Sequence, residues 1–298
     1  MKKSLIALAV LAASGVAMAQ SSVTLSGKAN IGIQKTGDNK AALTGGADGS
    51  DSRLIFRGTE DLGGGLKANF HFETGFKPDT GNLDNTANKL FQRGAWAGLS
   101  GGFGEVRMGR QYTIGFFGSI GNMPSTYSDP QLGVGLGFNG MASRNDDQIQ
   151  YWSPNFGGVQ LRASTQLKGD TGTGARNNEI ALNYANGPLT VNLTYADVST
   201  AAENPMGLNA AYNFGVATVA AGIVKTATNQ DGAFIRAVVP MGATSLFAGY
   251  ANNSDTKTNA YDIGAFYSLS KRTRLYAIYA AGNKAVTDKT TFGIDHNF

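Results

Sequence analysis

Apolar and polar side chains alternate with a period of two along most of the chain, the pattern of a strand with one apolar face. Across 66–74, Leu66, Ala68, Phe70 and Phe72 are interleaved with Lys67, Asn69, His71 and Glu73. In 52–57, Leu54 and Phe56 alternate with Arg53 and Arg57, and Ile55 interrupts the polar side. Val23, Leu25, Ala29, Ile31 and Ile33 oppose Thr24, Ser26, Lys28 and Asn30. Tyr261, Ile263, Ala265, Tyr267 and Leu269 share one face near the end, followed by Leu275, Ala277 and Tyr279. The pattern predicts about sixteen strands, among them 52–60, 65–76, 90–99, 104–112 and 147–153.

Two kinds of connection separate these runs. Segments such as 101–104, 155–158, 186–188 and 213–215 are short and glycine-rich, as tight hairpins require. Segments 36–50, 78–89, 168–176, 199–204, 226–231 and 252–257 are longer and polar, and the two kinds alternate. A soluble sandwich buries its apolar face against a second sheet. A membrane barrel turns that face to lipid and its polar face to a wet lumen, with short turns on one side and long loops on the other. The regular loop asymmetry favours the barrel, as do aromatics placed near strand ends for an interfacial girdle (Tyr250, Tyr261, Tyr267, Tyr279, Phe292, Phe298). A closed barrel also pairs every backbone donor and acceptor without leaving an edge. The expected fold is therefore all-β, a transmembrane antiparallel barrel.

Composition narrows the function. Charged residues make up 15% of 298, below the roughly 25% of a soluble domain, and the formal charge is +4. No basic run is suited to nucleic acid. The chain has no cysteine and two histidines, His71 and His296, which excludes thiolate-ligated and imidazole-rich metal centres. Gly135–Gly140 satisfies G-x-G-x-x-G but lacks the strand-to-helix context of a dinucleotide site. With no nucleophile elbow or P-loop either, an enzyme is not expected, and no cofactor is implied. Residues 1–19 read as a secretory signal peptide: Lys2 and Lys3, an apolar stretch from Leu5 to Val16, and a small-x-small site at Ala17–Ala19. The barrel is expected over 20–298.

One connection, 113–146, far exceeds the ~4–6 residues of an ordinary loop. Its Ile114, Phe116, Phe117, Ile120, Leu132, Val134, Leu136 and Phe138 are unfavourable in free water, so it is expected to fold into the lumen. With Leu54 and Phe56 facing lipid, the phasing sends Arg53, Arg57, Lys67, His71 and Glu73 inward, with Lys28 on the polar side of the first strand. Trp96 phases outward, in a stretch whose glycines and alanines carry little phase information.

The segments 21–25, 53–68, 103–111, 151–158, 269–273 and 293–298 resemble, in order, the Gram-negative general porins, especially their beta-proteobacterial branch. The resemblance implies a sixteen-stranded barrel, a homotrimer, and a third loop folded inward as an eyelet. It places Arg53, Arg93 and the loop residue Arg144 at the constriction with Glu73; Arg57 and Asp129 join them, and Asp146 and Asp147 are further acidic candidates on the loop. It also implies that terminal Phe298 is read by the outer-membrane assembly machinery, and that outer-membrane lipid and lipopolysaccharide surround the wall. The expected function is passive diffusion of ions and small hydrophilic solutes, with a mild anion preference, since clustered basic groups favour anions. A solute-selective channel, or a structural or adhesive barrel with a plugged lumen, is the alternative. This chain is shorter than many relatives, so its outer loops are cut back.

Overall fold

The computed structural model describes residues 21–84, 89–116, 143–167, 176–226, 231–283 and 287–298. The signal segment 1–19, Asp129 and most of the 113–146 connection lie outside them.

Sixteen strands form one continuous antiparallel wall. They are β1 (Ser22–Thr36), β3 (Ser52–Gly63), β4 (Leu66–Phe76), β5 (Gly94–Gly101), β6 (Gly104–Tyr112), β7 (Arg144–Trp152), β8 (Val159–Gln166) and β9 (Asn177–Asn186), then β10 (Leu189–Val198), β11 (Met206–Asn213), β12 (Thr218–Lys225), β13 (Asp231–Met241), β14 (Thr244–Asn253), β15 (Thr258–Ser268), β16 (Thr273–Gly282) and β17 (Lys289–Asn297). From β3 onward each strand pairs with its chain neighbour, and β1 closes the ring. Its first half pairs with β3 and its second half with β17. A short extra strand, β2 (Ala42–Gly45), extends the β3 edge along β1 and lies inside the connection expected to be plain loop.

The wall inverts the usual arrangement of a folded domain. Leu25, Phe56, Met108, Ile180, Leu208, Ile235, Ile263 and Phe292 are exposed on the outside, whereas Asn30, Gln148, Gln150, Asn192, Arg236, Asp262 and Asp295 are buried. Because paired residues in a ladder share a face, the inward set can be followed around the ring: Lys28↔Arg53, Arg57↔His71, His71↔Trp96, Gln150↔Ser164, Ser164↔Glu179. The girdle aromatics Tyr250, Tyr261, Tyr267, Tyr279 and Phe298 all sit exposed on the outer face.

The seam is sealed locally. Backbone bonds join Gly27 and Phe298 in both directions, at 3.0 and 3.1 Å, and the Phe298 ring lies over Gly27. A Cβ at Gly27 would stand 2.5 Å from that ring, so glycine is what lets the last residue close the barrel. Inside, Val238, Phe247, Phe266 and Tyr276 form a small apolar cluster on β13–β16, covered by Ala47 from the loop after β2. Tyr276 lies flat across Gly293, where any Cβ would meet its hydroxyl, and donates 2.7 Å to Asn30.

Three expectations need correcting. The strand expected from residue 90 starts at Gly94, because the Gln92 and Arg93 side chains turn back onto Gly75 and Glu73. The strand expected from 147 starts at Arg144, so Arg144, Asp146 and Asp147 are strand residues rather than loop residues. A bulge hides this start: the β6–β7 register shifts between Gly109 and Gln111, and Asp147 takes a positive φ of 53°. Trp96, expected outside, faces the lumen opposite His71.

Candidate functional site

The inner face of β3–β7 gathers most of the predicted charges around one buried carboxylate. Glu73 on β4 accepts from Arg93 Nε at 2.7 Å, lies 3.6 Å from Arg53, and meets His71 Nε2 at 3.1 Å. Arg93 stands in the turn before β5 and also contacts Asp51 at 2.8 Å, Asp84 at 3.5 Å and the Tyr112 hydroxyl at 3.0 Å. Burial alone would lower the Arg93 pKa; Tyr112, Glu73 and Asp51 outweigh it and hold the guanidinium above its usual range. Arg144 stacks over the Tyr112 ring at 3.8 Å, bonds the Tyr112 hydroxyl, and donates 2.9 Å to the Arg93 carbonyl.

Arg53, Arg93, Arg144 and Glu73 are thus brought into one cluster. Three carboxylates meet two of its guanidinium groups: Glu73 pairs with Arg53 and Arg93, Asp51 and Asp84 pair with Arg93, and Arg144 lies on the Tyr112 ring. The pattern of alternation did not reveal Asp51, Asp84 or Tyr112, because the first two sit in connections and Tyr112 ends a strand.

The other predicted residues lie further off. Arg57 is exposed to the lumen and donates 3.0 Å to His71 Nδ1, which fixes the His71 proton on Nε2 facing Glu73. Lys67 is exposed beside the short β3–β4 turn, opposite Asp61. Lys28 is buried on β1 and pairs with Asp295 at 2.7 Å; Arg274 shares Asp295 at 2.9 Å and reaches Asp48 at 3.3 Å. Asp48 anchors the 46–51 segment against the wall, and burial pushes its carboxyl above the ordinary carboxylate range despite Lys28 and Arg274. Asp146 belongs to a different group, with Lys89 at 2.6 Å and Arg110 at 2.7 Å. Asp147 is exposed on the bulge.

The root of the long connection carries a contact that no motif announced. A helical turn begins at Ile114, whose backbone N–H bonds the carboxylate of Glu179, an inward residue of β9. Gly115 N–H donates to the same oxygen at 3.1 Å, and Asn177 donates 2.7 Å to the other. The chain leaving β6 therefore crosses the inner faces of β7 and β8 to reach β9. Among the described residues no group of histidine and carboxylate side chains is arranged to hold a metal ion.

Comparison with known proteins places this wall in context. A family profile described as Gram-negative porin matches residues 5–285. The chain is 37% identical over 333 residues to outer membrane porin protein 32 of Delftia acidovorans, covering 99% of this chain and 92% of that one. It is 30% identical to an outer membrane porin protein of Bordetella pertussis over the full length of both. Among solved structures it is similar to an anion-selective porin from Comamonas acidovorans, with a TM-score of 0.72, 27% identity, and coverage of 94% of this chain and all of that one.

Proposed function

The chain belongs to the Gram-negative porin family of outer-membrane channels, and on that premise we propose that it passes ions and small hydrophilic solutes by passive diffusion with a mild preference for anions. One observation carries this reading: a closed ring of strands keeps its apolar side chains outside and its charges inside. The anion preference is supported by the basic groups lining β3–β8 and by the anion selectivity named for the structural neighbour.

Within this reading, 1–19 is removed on export and the mature chain begins at residue 20. The 113–146 connection narrows the lumen; the two N–H groups given to Glu179 from its first turn support an inward path. Arg53, Arg93, Arg144 and Glu73 belong to the constriction, with Arg57 beside them and Asp129 contributed by the loop. Guanidinium groups facing carboxylates across a narrow passage set up a transverse field that orients polar solutes. The protein assembles as a homotrimer surrounded by lipid and lipopolysaccharide, and Phe298 serves as its assembly signal.

Planar-bilayer recording on purified trimers tests the reading. Stable conductance steps, often in threes, with a zero-current potential of anionic sign in a salt gradient are expected. Silence would instead favour a plugged structural barrel, and a cationic sign would remove the anion preference.

A further inference from the structure

Six inward side chains, one from each of six consecutive wall strands, form an unbroken run from β3 to β8. Arg57 bonds His71 at 3.0 Å, and His71 stacks on Trp96 with centroids 5.6 Å apart and planes 9° from parallel. Arg107 lies 4.6 Å from the Trp96 ring and 3.9 Å from the Trp152 ring, and Arg162 also lies 3.9 Å from the Trp152 ring. The chain has only two tryptophans. In membrane proteins tryptophan ordinarily marks the lipid interface, yet both of these face the lumen and are packed between cationic or imidazole groups. Such stacking fixes a guanidinium in the plane of its support while leaving its N–H edge free to meet anions.

The belt differs from the Arg93 cluster in its charge balance. There, the guanidinium groups of Arg53 and Arg93 meet three carboxylates. On the belt, Glu105 pairs with Arg107 at 2.6 Å, whereas Arg57 and Arg162 have no carboxylate partner among the described residues. Arg162 is held by Trp152 and by Gln160, the latter at 2.9 Å. The passage also opens beside this belt. A cavity of about 590 Å³ is shared by Arg57, Trp96 and Arg107 of the belt, by Glu73 and Arg93 of the neighbouring cluster, and by Gln111, whose buried amide has no partner on either its nitrogen or its oxygen among the described residues. The Arg107 Nε is likewise unpartnered among them. At the Arg57 end of the belt, open space, an unmatched cation and spare donors coincide.

We propose that this guanidinium–aromatic belt is a second selectivity element, adjoining the constriction at Arg57 and His71 and running away from it to β8, with Arg57 and Arg162 setting the anion preference and Trp152 positioning Arg162. The inference rests on the anion preference of the channel. A unit charge within a Debye length of a passing ion, about 8–10 Å, biases anions over cations by about twofold or more.

The experiment is the zero-current potential of purified trimers in a salt gradient. Arg162→Gln is expected to lower the anion-to-cation permeability ratio by about two- to threefold, and Arg57→Gln, at the other end of the belt, by a similar factor. Arg162→Lys, which keeps the charge, retains most of the ratio. Trp152→Phe keeps it too, whereas Trp152→Leu lowers it part of the way toward Arg162→Gln, because the guanidinium keeps its charge but loses the support that holds it at the passage. Unchanged ratios in both Arg162→Gln and Arg57→Gln overturn the belt while leaving the anion-preferring channel standing. A wild-type channel without anion preference overturns the reading on which it rests. Equal ratios in Trp152→Phe and Trp152→Leu overturn the positioning role.

Discussion

Glu179 offers a direct handle on the root of the long connection. Its side chain is buried and accepts from Ile114 N–H, Gly115 N–H, the Asn177 amide and, at 3.4 Å, the Ser164 hydroxyl. Glu179→Leu removes the acceptor and leaves two backbone donors inside, each costing about 1–3 kcal/mol when unsatisfied. Taking the lower half of that range, the anchor weakens by about 3 kcal/mol, a shift of roughly 100-fold toward the released root. Glu179→Gln keeps an acceptor oxygen and loses charge assistance, which is about half of the bond strength, so its effect is about 1 kcal/mol. The wall itself should survive, because β8 and β9 pair through backbone bonds over seven registered positions from Val159↔Tyr184 to Thr165↔Asn178. Single-channel recording is then expected to rank both conductance and open-channel noise as wild type, then Gln, then Leu. Intact Leu-variant trimers with wild-type conductance and noise would refute the anchoring role.

Three further outcomes follow from the same contacts. Arg93→Gln strips Glu73, Asp51 and Asp84 of their shared guanidinium; breaking a buried ion pair costs about 3–5 kcal/mol, so the thermal transition of the detergent-solubilised protein should fall and its cation permeability rise, and an unshifted melt would count against the cluster. Deleting Phe298 removes two closing backbone bonds and the ring over Gly27, so the trimer yield after outer-membrane assembly should drop, and an undiminished yield would dismiss it as an assembly determinant. Asp48 has a folded pKa raised above 3.8 by burial, so its protonated form is the one the fold prefers; its contribution is complete below the unfolded value and is lost as pH rises through the folded one. Acidifying from neutral pH down to the ordinary carboxylate range of about 4 should therefore slow, not speed, proteolysis within 46–51, and faster cleavage would reverse that sign.

Alternation made the wall legible because a closed barrel enforces it on nearly every strand: Leu54 and Phe56 must meet the apolar side wherever Arg53 and Arg57 meet water. The reading failed where that constraint relaxes. At Arg144–Gln148 the run is wholly polar and the Asp147 bulge sets two residues against one, so neither phase nor strand start could be read. Around Trp96 the neighbours are Gly94, Ala95, Ala97 and Gly98, which fit either side; the tryptophan faces inward because His71 and Arg107 stack on it. The lumen positions of Arg53, Arg57, Lys67, His71 and Glu73 followed from phase, but which of them are charge-balanced did not. That depends on Asp51, Asp84 and Tyr112, whose contacts cross up to 42 positions of sequence.

The two sides of the lumen differ in kind, and the difference bears on how a solute crosses. On β13, β16 and β1 three basic groups are matched by aspartates: Arg236 by Asp262 at 2.7 Å, Lys28 by Asp295, and Arg274 by both Asp295 and Asp48. The arginines there also lie on aromatic rings, Arg236 on Phe247 and Arg274 on Phe266, beside the apolar cluster around Tyr276. Along the adjoining arc from β3 to β8, Arg57 and Arg162 are supported by imidazole and indole and met by no carboxylate among the described residues. Ion pairs that are satisfied and desolvated fix the shape of a wall but project little field, whereas a supported, unmatched guanidinium projects nearly all of its charge. An anion in transit is therefore drawn toward one side, and a solute with an apolar edge turns that edge to the other. Orientation in this channel follows from where carboxylates are missing as much as from where arginines are present.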